Sequence, residues 1–148
     1  MPNSRSADPP PPQTILGFDF GLKNIGIAVG QSVTQTATAL TTLKAKDGIP
    51  KWPEIEQLIA KWRPHALVVG IPLQMDDAEQ LMTFCARKFC NRLRQKYQLP
   101  VHEIDERLSS WEAKTRVNSL RLRKIKSENE THAISAVILI EQWMTENV

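Results

Sequence analysis

Residues 15–30 read ILGFDFGLKNIGIAVG, and this stretch decides the fold. Two short apolar runs, Ile15 to Phe20 and Ile25 to Val29, are separated by Gly, Lys and Asn, the residue types of a turn. The pattern predicts two paired strands. Asp19 lies within the first run, where burial of a carboxylate without a partner is costly. Asp19 therefore needs a metal ion, a hydrogen-bond donor or a cation, and Lys23 is near enough in sequence to be that cation.

Further alternation of apolar runs and turn residues predicts the rest of the domain. Thr34 to Leu43 predicts a third strand, and helix and strand signals then alternate to the end of the chain. This order predicts an α/β domain with a mixed sheet. The predicted later elements are a helix from Pro53, a strand at Ala66 to Val69, a helix at Asp77 to Tyr97, a strand at Val101 to Ile104, a helix after Ser109, and a last helix at Glu130 to Met144.

The chain divides into a short tail and one domain. Residues 1–13 hold five of the ten prolines and predict a disordered or polyproline II tail, or else a ligand for a proline-binding partner. Residues 14–148 are expected to form a single domain. The longest apolar run has five residues, Ala136 to Ile140, which is too short to span a membrane. With no signal-peptide pattern and two cysteines that we expect to be reduced, we predict a cytoplasmic protein.

Positive charge is concentrated in one part of the sequence. The whole chain has 19 Lys and Arg against 16 Asp and Glu, and its pI is about 9.0. Residues 84–126 hold twelve basic and four acidic residues, a net +8, whereas the remainder holds seven and twelve, a net −5. For the basic residues of the predicted helix at Asp77 to Tyr97, a solvated face and a phosphate-binding surface are equally good explanations. The later basic cluster favours a loop that contacts phosphates. That cluster consists of Arg121, Arg123, Lys124 and Lys126.

A second acidic motif follows the predicted strand at residues 101–104. Asp105 and Glu106 are adjacent, and the helix signal at Ser109 comes directly after them. A surface ion pair between Glu106 and Arg107 would also account for the pattern. Taken together with Asp19, however, carboxylates at the ends of two strands beside a basic segment suggest a hard-metal site that handles phosphates.

Four blocks of the chain, in order, resemble the YqgF/RuvX family. They are ILGFDFGLKNIGIAVG, ALVVGIPLQMD, EIDERLSSWEA and HAISAVILIEQW, and the resemblance covers nearly the whole chain after residue 13. It implies an RNase H-like fold, with a five-stranded mixed sheet, the first three strands antiparallel, and helices on both faces. It also implies a nuclease that requires Mg²⁺ or Mn²⁺. Its implied substrate is structured nucleic acid, either the 5′ end of pre-16S rRNA or branched DNA such as a Holliday junction.

The resemblance assigns roles to individual residues. Asp19 matches the catalytic Asp of the first strand, and Glu106 matches the acid at the later strand end, with Asp105 as its neighbour. Gly21 and Gly26 match glycines that let the backbone approach phosphate. Arg107 and Ser109 match the polar positions after the acid. Together with Lys23 and the basic cluster at 121–126, they are the expected nucleic-acid contacts.

The sequence departs from the family pattern at the last helix. His132 occupies the position of the family's third catalytic Asp. In a different block, Asp77 replaces the glycine that follows the loop motif ALVVGIPLQMD in the family. An imidazole is a softer ligand than a carboxylate and carries no negative charge, so the change predicts weaker Mg²⁺ binding and a preference for Mn²⁺. Glu128 lies four residues earlier and is able to share a helix face with His132. The alternative is that His132 is a polar helix residue in a site that has decayed.

Three functions follow from these residues. The favoured one is phosphodiester hydrolysis with metal ions held by Asp19, Glu106 and His132. A phosphotransferase of the actin and sugar-kinase type also begins with Asp-x-Gly on a strand pair, but 148 residues are too few for two such domains. A nucleic-acid-binding module without cleavage is the third. Junction resolution would require a homodimer, because two strands must be cut symmetrically.

Overall fold

The computed structural model describes residues 12–71, 77–105 and 128–147. These ranges contain six strands and three helices. In chain order they are β1 (Thr14–Asp19), β2 (Asn24–Gln31), β3 (Thr36–Lys46), β4 (Ile49–Pro50), α1 (Trp52–Trp62), β5 (Ala66–Ile71), α2 (Asp77–Tyr97), β6 (Val101–Asp105) and α3 (Glu128–Asn147). The helix predicted after Ser109 and the first eleven residues of the tail predicted at residues 1–13 lie outside the described ranges.

The strands form one mixed sheet in the order β4-β3-β2-β1-β5-β6. Strands β1 to β4 pair antiparallel with their sequence neighbours, whereas β5 lies parallel to β1 and β6 parallel to β5. The predicted α/β class and the antiparallel arrangement of the first three strands are therefore confirmed. The carboxyl ends of β1, β5 and β6 meet at one edge of the sheet, because parallel strands point the same way.

The predicted number of five strands is wrong, because a short fourth strand forms a hairpin with the end of β3. Ile49 and Pro50 pair with Lys46 and Ala45. The two residues between the strands, Asp47 and Gly48, both have positive φ, at 54° and 82°. An Asp-Gly pair in this conformation is the type I′ turn that joins two antiparallel strands. The sequence pattern does not predict β4, because a two-residue strand leaves no alternation to detect.

Each face of the sheet carries its own hydrophobic core. Alternate residues of β1 point to opposite faces, so Phe18 packs with α1 and α2 while Ile15 packs with α3. The first core centres on Phe18 and Phe89, whose rings meet edge to face at 5.6 Å between centroids. The second contains Ala136 and Ile140 of α3. Helices on both faces, as predicted, are confirmed.

Both cysteines are free thiols, as the sequence predicts. Burial is the main cause that raises the pKa of Cys90 to about 12, and the nearby negative charge of Glu103 adds to it. Cys90 therefore stays a neutral thiol within the core at physiological pH. Among the described helices, none is long and apolar enough to cross a membrane.

Candidate active site

Asp19 is the last residue of β1 and lies between two glycines on the neighbouring strands. It pairs with Gly26 of β2 on one side and with Gly70 of β5 on the other. Residues paired across a sheet share a face, so Asp19 has no side chain beside it on either neighbouring strand. The side chain is half-buried and forms interactions within the protein. The register thus leaves room around a carboxylate at the carboxyl end of a central strand.

Helix α3 lies across the face of the sheet to which Asp19 belongs. A Cβ atom on Gly17, two residues before Asp19 and so on the same face, would lie 2.6 Å from Cδ1 of Ile140. A Cβ on Gly26 would overlap the backbone carbonyl of His132 and would lie 2.7 Å from the nitrogen of Ala133. The helix therefore runs antiparallel to β1, with its amino-terminal part over the strand end that carries Asp19.

His132 is brought to this strand end by the contact with Gly26. Because Gly26 is the register partner of Asp19, the backbone of His132 lies over the residue next to Asp19. The Nε2 atom of His132 is buried and has no hydrogen-bond partner in the described part of the chain. A buried nitrogen without a partner is costly, and such atoms are exceptions that call for a ligand or a bound ion. The position and this orphan nitrogen make His132 a candidate ligand.

The turn after Asp19 is fixed by backbone contacts. A Cβ on Gly21 would lie 2.5 Å from the carbonyl oxygen of Asn24, so this turn requires a glycine. Leu22 accepts a hydrogen bond at 2.9 Å from the backbone N–H of Gly48, and Lys23 accepts one at 2.8 Å from Ala45. The Lys23 side chain is exposed. The turn is thereby tied to the β3–β4 hairpin and presents a cation beside the candidate site.

Strand β6 carries two acidic residues near its end, Glu103 and Asp105, and both belong to the face of the sheet opposite to that of Asp19. Glu103 accepts a hydrogen bond from Arg94 at 3.1 Å and forms an ion pair with Arg87 at 3.7 Å, both on α2. Asp105 pairs with Ile71, whose side chain lies in the core under α2. The register gives Asp105 the same parity as Glu103, opposite to that of Asp19. Asp105 and Asp19 therefore lie at the same edge of the sheet but on opposite faces of it.

Several predicted site residues lie outside the described ranges. Within those ranges, no three His, Cys, Asp or Glu residues are grouped closely enough to hold a metal ion. A complete metal site would therefore need a further residue. The predicted residues that lie outside are Glu106, Arg107, Ser109, Arg121, Arg123, Lys124 and Lys126.

The sequence interpretation missed the part that Gly70 plays. Its place beside Asp19 follows from the parallel pairing of β5 with β1. The signal was present in the sequence, since Gly70 directly follows the apolar run Ala66 to Val69 and a glycine there contributes no side chain to packing.

Comparisons with known proteins agree with this architecture. A family model described as "RuvX: Holliday junction resolvase" matches residues 13–146. A protein of Shewanella oneidensis named "Putative pre-16S rRNA nuclease" is 50% identical over 131 residues, which cover 88% of this chain and 93% of that protein. A protein of Haemophilus ducreyi with the same name is 49% identical over 134 residues, covering 90% of this chain and 97% of that protein.

Solved structures show the same fold at low sequence identity. T. thermophilus RuvC in complex with a Holliday junction substrate has a TM-score of 0.62 and 14% identity, covering 90% of this chain and 94% of that chain. The Holliday junction resolvase of fowlpox virus has a TM-score of 0.53 and 11% identity, covering 91% and 99%. These similarities confirm the RNase H-like fold that the sequence resemblance implies.

Proposed function

This chain belongs to the RuvX family, and from that premise we propose that it is a divalent-metal-dependent nuclease that hydrolyses phosphodiester bonds in structured nucleic acid. The observation that supports this most directly is the contact between Gly26 and the backbone of His132. It brings the backbone of His132, whose Nε2 has no hydrogen-bond partner among the described residues, to the strand end that carries Asp19. A carboxylate and an imidazole are both ligands of Mn²⁺ and related ions.

We propose Glu106, rather than Asp105, as the third ligand. Side chains alternate between the two faces along a strand. His102 and Ile104 of β6 pack toward α3, the helix on the face of Asp19, with the His102 ring 4.8 Å from that of Trp143. Asp105 has the opposite parity. Glu106 lies outside the described ranges, and we propose it because the family resemblance matches it to the acid at this strand end, whereas Asp105 belongs to the other face.

The chemistry divides between the protein and the ion. A divalent cation, when bound, would lower the pKa of the attacking water and stabilise negative charge on the leaving oxygen. Asp19 contributes an anionic oxygen on a rigid central strand, with room beside it because both register partners are glycines. The contact at Gly26 holds the backbone of His132 over the register partner of Asp19. Since both groups are on packed elements, their spacing is set before the substrate binds.

The names of the relatives favour RNA as the substrate, whereas the family model is described as a Holliday junction resolvase. Relatives about half identical to this chain are named for pre-16S rRNA cleavage, whereas RuvC and the fowlpox resolvase, at 14% and 11% identity, share the fold. We propose 5′-end processing of pre-16S rRNA as the reaction, in the cytoplasm. Junction resolution is the second candidate, and it requires a homodimer.

Parallel cleavage assays separate these functions. The protein is incubated with a pre-16S rRNA fragment and with a four-way DNA junction, in Mg²⁺ and in Mn²⁺. Metal-dependent cleavage of the RNA alone supports rRNA processing, and symmetric cleavage of the junction by a dimer supports resolution. Binding of either substrate without cleavage in any metal would reject the nuclease in favour of a binding module.

Restoring the family's carboxylate gives a prediction about the metal. We expect His132→Asp to raise the cleavage rate in Mg²⁺ about tenfold more than in Mn²⁺, because a hard anionic oxygen suits Mg²⁺ better than an imidazole does. The comparison variant is His132→Asn, which has nearly the same shape as the Asp variant but no charge and should not restore activity in Mg²⁺. If the ratio of the cleavage rate in Mg²⁺ to that in Mn²⁺ is the same in His132→Asp as in the wild type, His132 is not a metal ligand.

A further inference from the structure

Three exposed hydrophobic side chains converge on one cleft on the α2 side of the sheet. In the described ranges four large hydrophobic residues are exposed, and Ile49, Leu81 and Phe84 all line this cleft. Phe84 has 62% of its surface exposed, although it lies on a helix whose other face enters the core. Exposed apolar residues that cluster, rather than occurring singly, mark an interaction surface.

The cleft lies between α2 and the turn of the β3–β4 hairpin. It has about 100 Å³ of space, and Gly48 and Cys85 form part of its lining. The ring of Phe20 is close behind it, because a Cβ on Gly48 would lie 2.7 Å from the Cζ of Phe20. Phe20 directly follows Asp19 in the chain. The cleft therefore lies near the sheet edge that carries Asp19, on the α2 face, which is opposite to the face of Asp19.

The charge around the cleft is positive. Residues 81–97 of α2 include five basic and no acidic residues. Arg87 and Arg94 pair with Glu103, and Lys96 lies over the ring of Trp52 at 5.0 Å. The other two, which line the cleft, are Lys88 and Arg92.

Lys88 and Phe84 form a composite surface. The Nζ of Lys88 is 5.8 Å from the centroid of the Phe84 ring. Asp47 is the one carboxylate among the described side chains that line the cleft. An exposed aromatic ring with adjacent cations offers a stacking surface together with charges for a phosphate backbone.

We propose that this cleft binds unpaired nucleotides of the substrate strand, with a base stacked on Phe84 and phosphates beside Lys88 and Arg92. The inference rests on the proposed nuclease function for its choice of ligand, and it adds a binding site to that function. A second copy of this chain is a poorer occupant, because apposing two such clefts would bring the cations of both copies together. Stacking is sequence-tolerant, so the site would recognise single-stranded character and not a particular base.

Binding to a short oligonucleotide tests the site without any cleavage. The probe is a fluorescein-labelled single-stranded RNA 12-mer, measured by anisotropy in EDTA. Phe84→Ala is expected to weaken binding about tenfold, since loss of one base–aromatic stack has effects of this order. Phe84→Trp, which keeps a stacking surface, should bind at least as tightly as the wild type. The matched control is Val33→Ala, which removes the fourth exposed hydrophobic residue, away from the cleft, and should leave binding unchanged.

Salt dependence tests the two cations. Lys88→Ala should reduce the slope of log affinity against log salt concentration by about one, because one phosphate contact is lost. Lys61→Ala on α1, where the Nζ lies 5.5 Å from the Trp62 ring, is the control for a lysine that packs on an aromatic ring elsewhere. An unchanged slope for Lys88→Ala would contradict the phosphate contact.

The outcomes separate this inference from the proposed function. Cleavage by the wild type together with equal probe binding by Phe84→Ala would overturn the cleft and leave the nuclease intact. Phe84-dependent binding by a protein that cleaves nothing would support the cleft and reject the nuclease. If Phe84→Ala only converts a dimer to a monomer in light scattering, with probe binding unchanged, the occupant is a second copy and the inference is wrong.

Discussion

Asp19→Asn is expected to lower the cleavage rate about a thousandfold, which corresponds to about 4 kcal/mol of lost transition-state stabilisation. Asn has nearly the shape of Asp but no negative charge, so it removes the anionic oxygen that we propose as a metal ligand. Asp19 is half-buried between two glycine partners, and the substitution introduces no bulk there. The measurement is a single-turnover assay on a pre-16S rRNA fragment in Mn²⁺.

Two controls show whether the loss belongs to the site. Glu56→Gln makes the same kind of change at an exposed position on α1 and should retain full activity. The thermal midpoint and the affinity of Asp19→Asn for the fragment in EDTA should remain close to those of the wild type. Cleavage by Asp19→Asn within tenfold of the wild-type rate would mean that this carboxylate does not take part in the reaction.

Gly26→Ala is expected to destabilise the protein by about 3 kcal/mol, at the upper end of the usual range for overpacking a core. The added methyl group would overlap the carbonyl of His132, and backbone atoms of a packed helix cannot move aside as a side chain can. For a chain of this length the thermal midpoint should fall by about 10 °C. Cleavage should fall as well, at temperatures where the variant is folded, because His132 would be displaced from Asp19.

Gly17→Ala is the comparison for this prediction. Its methyl group would meet the side chain of Ile140, 2.6 Å from Cδ1, and a side chain is able to change rotamer. We therefore expect a smaller loss of about 1–2 kcal/mol, with activity retained below the midpoint. Equal stability of Gly26→Ala and the wild type, in urea or thermal unfolding, would contradict the packing of α3 on β2.

Most of the sheet is predictable from local sequence. The apolar runs around Asp19 and Gly26 indicate strands because their hydrophobic pattern and turn residues agree. Asp47 and Gly48 form a typical type I′ turn, yet the sequence pattern did not predict the β4 hairpin. The strand that follows the turn has only two residues, which is too few to show an alternating pattern.

The apolar residues of α2 show that helical periodicity alone does not predict which side chains are buried. Steps of four along α2 group Leu81 with Phe89 and Leu93, yet only the latter two are buried. The pattern gives a helix face but not the extent to which the sheet covers that face. Phe84 lies off this stripe, and only the packed structure shows that its ring faces the cleft beside the β3–β4 hairpin.

The candidate site depends on contacts between distant parts of the chain. Asp19 and His132 are more than a hundred residues apart, and their proximity follows from the packing of α3 on Gly26. The family resemblance predicted that these positions share a site, but no local pattern does so. The opposite parities of Asp105 and Asp19 likewise require the strand register.

A crystal structure of the full chain soaked in Mn²⁺ and measured at the manganese absorption edge tests the central claim most directly. Mn²⁺ gives an anomalous signal that identifies the ion independently of the surrounding model. We expect a peak between the Asp19 carboxylate and the Nε2 of His132, with Glu106 as a further ligand, and its loss in Asp19→Asn. Mn²⁺ bound elsewhere, or a vacant space between Asp19 and His132 at saturating Mn²⁺, would contradict the account.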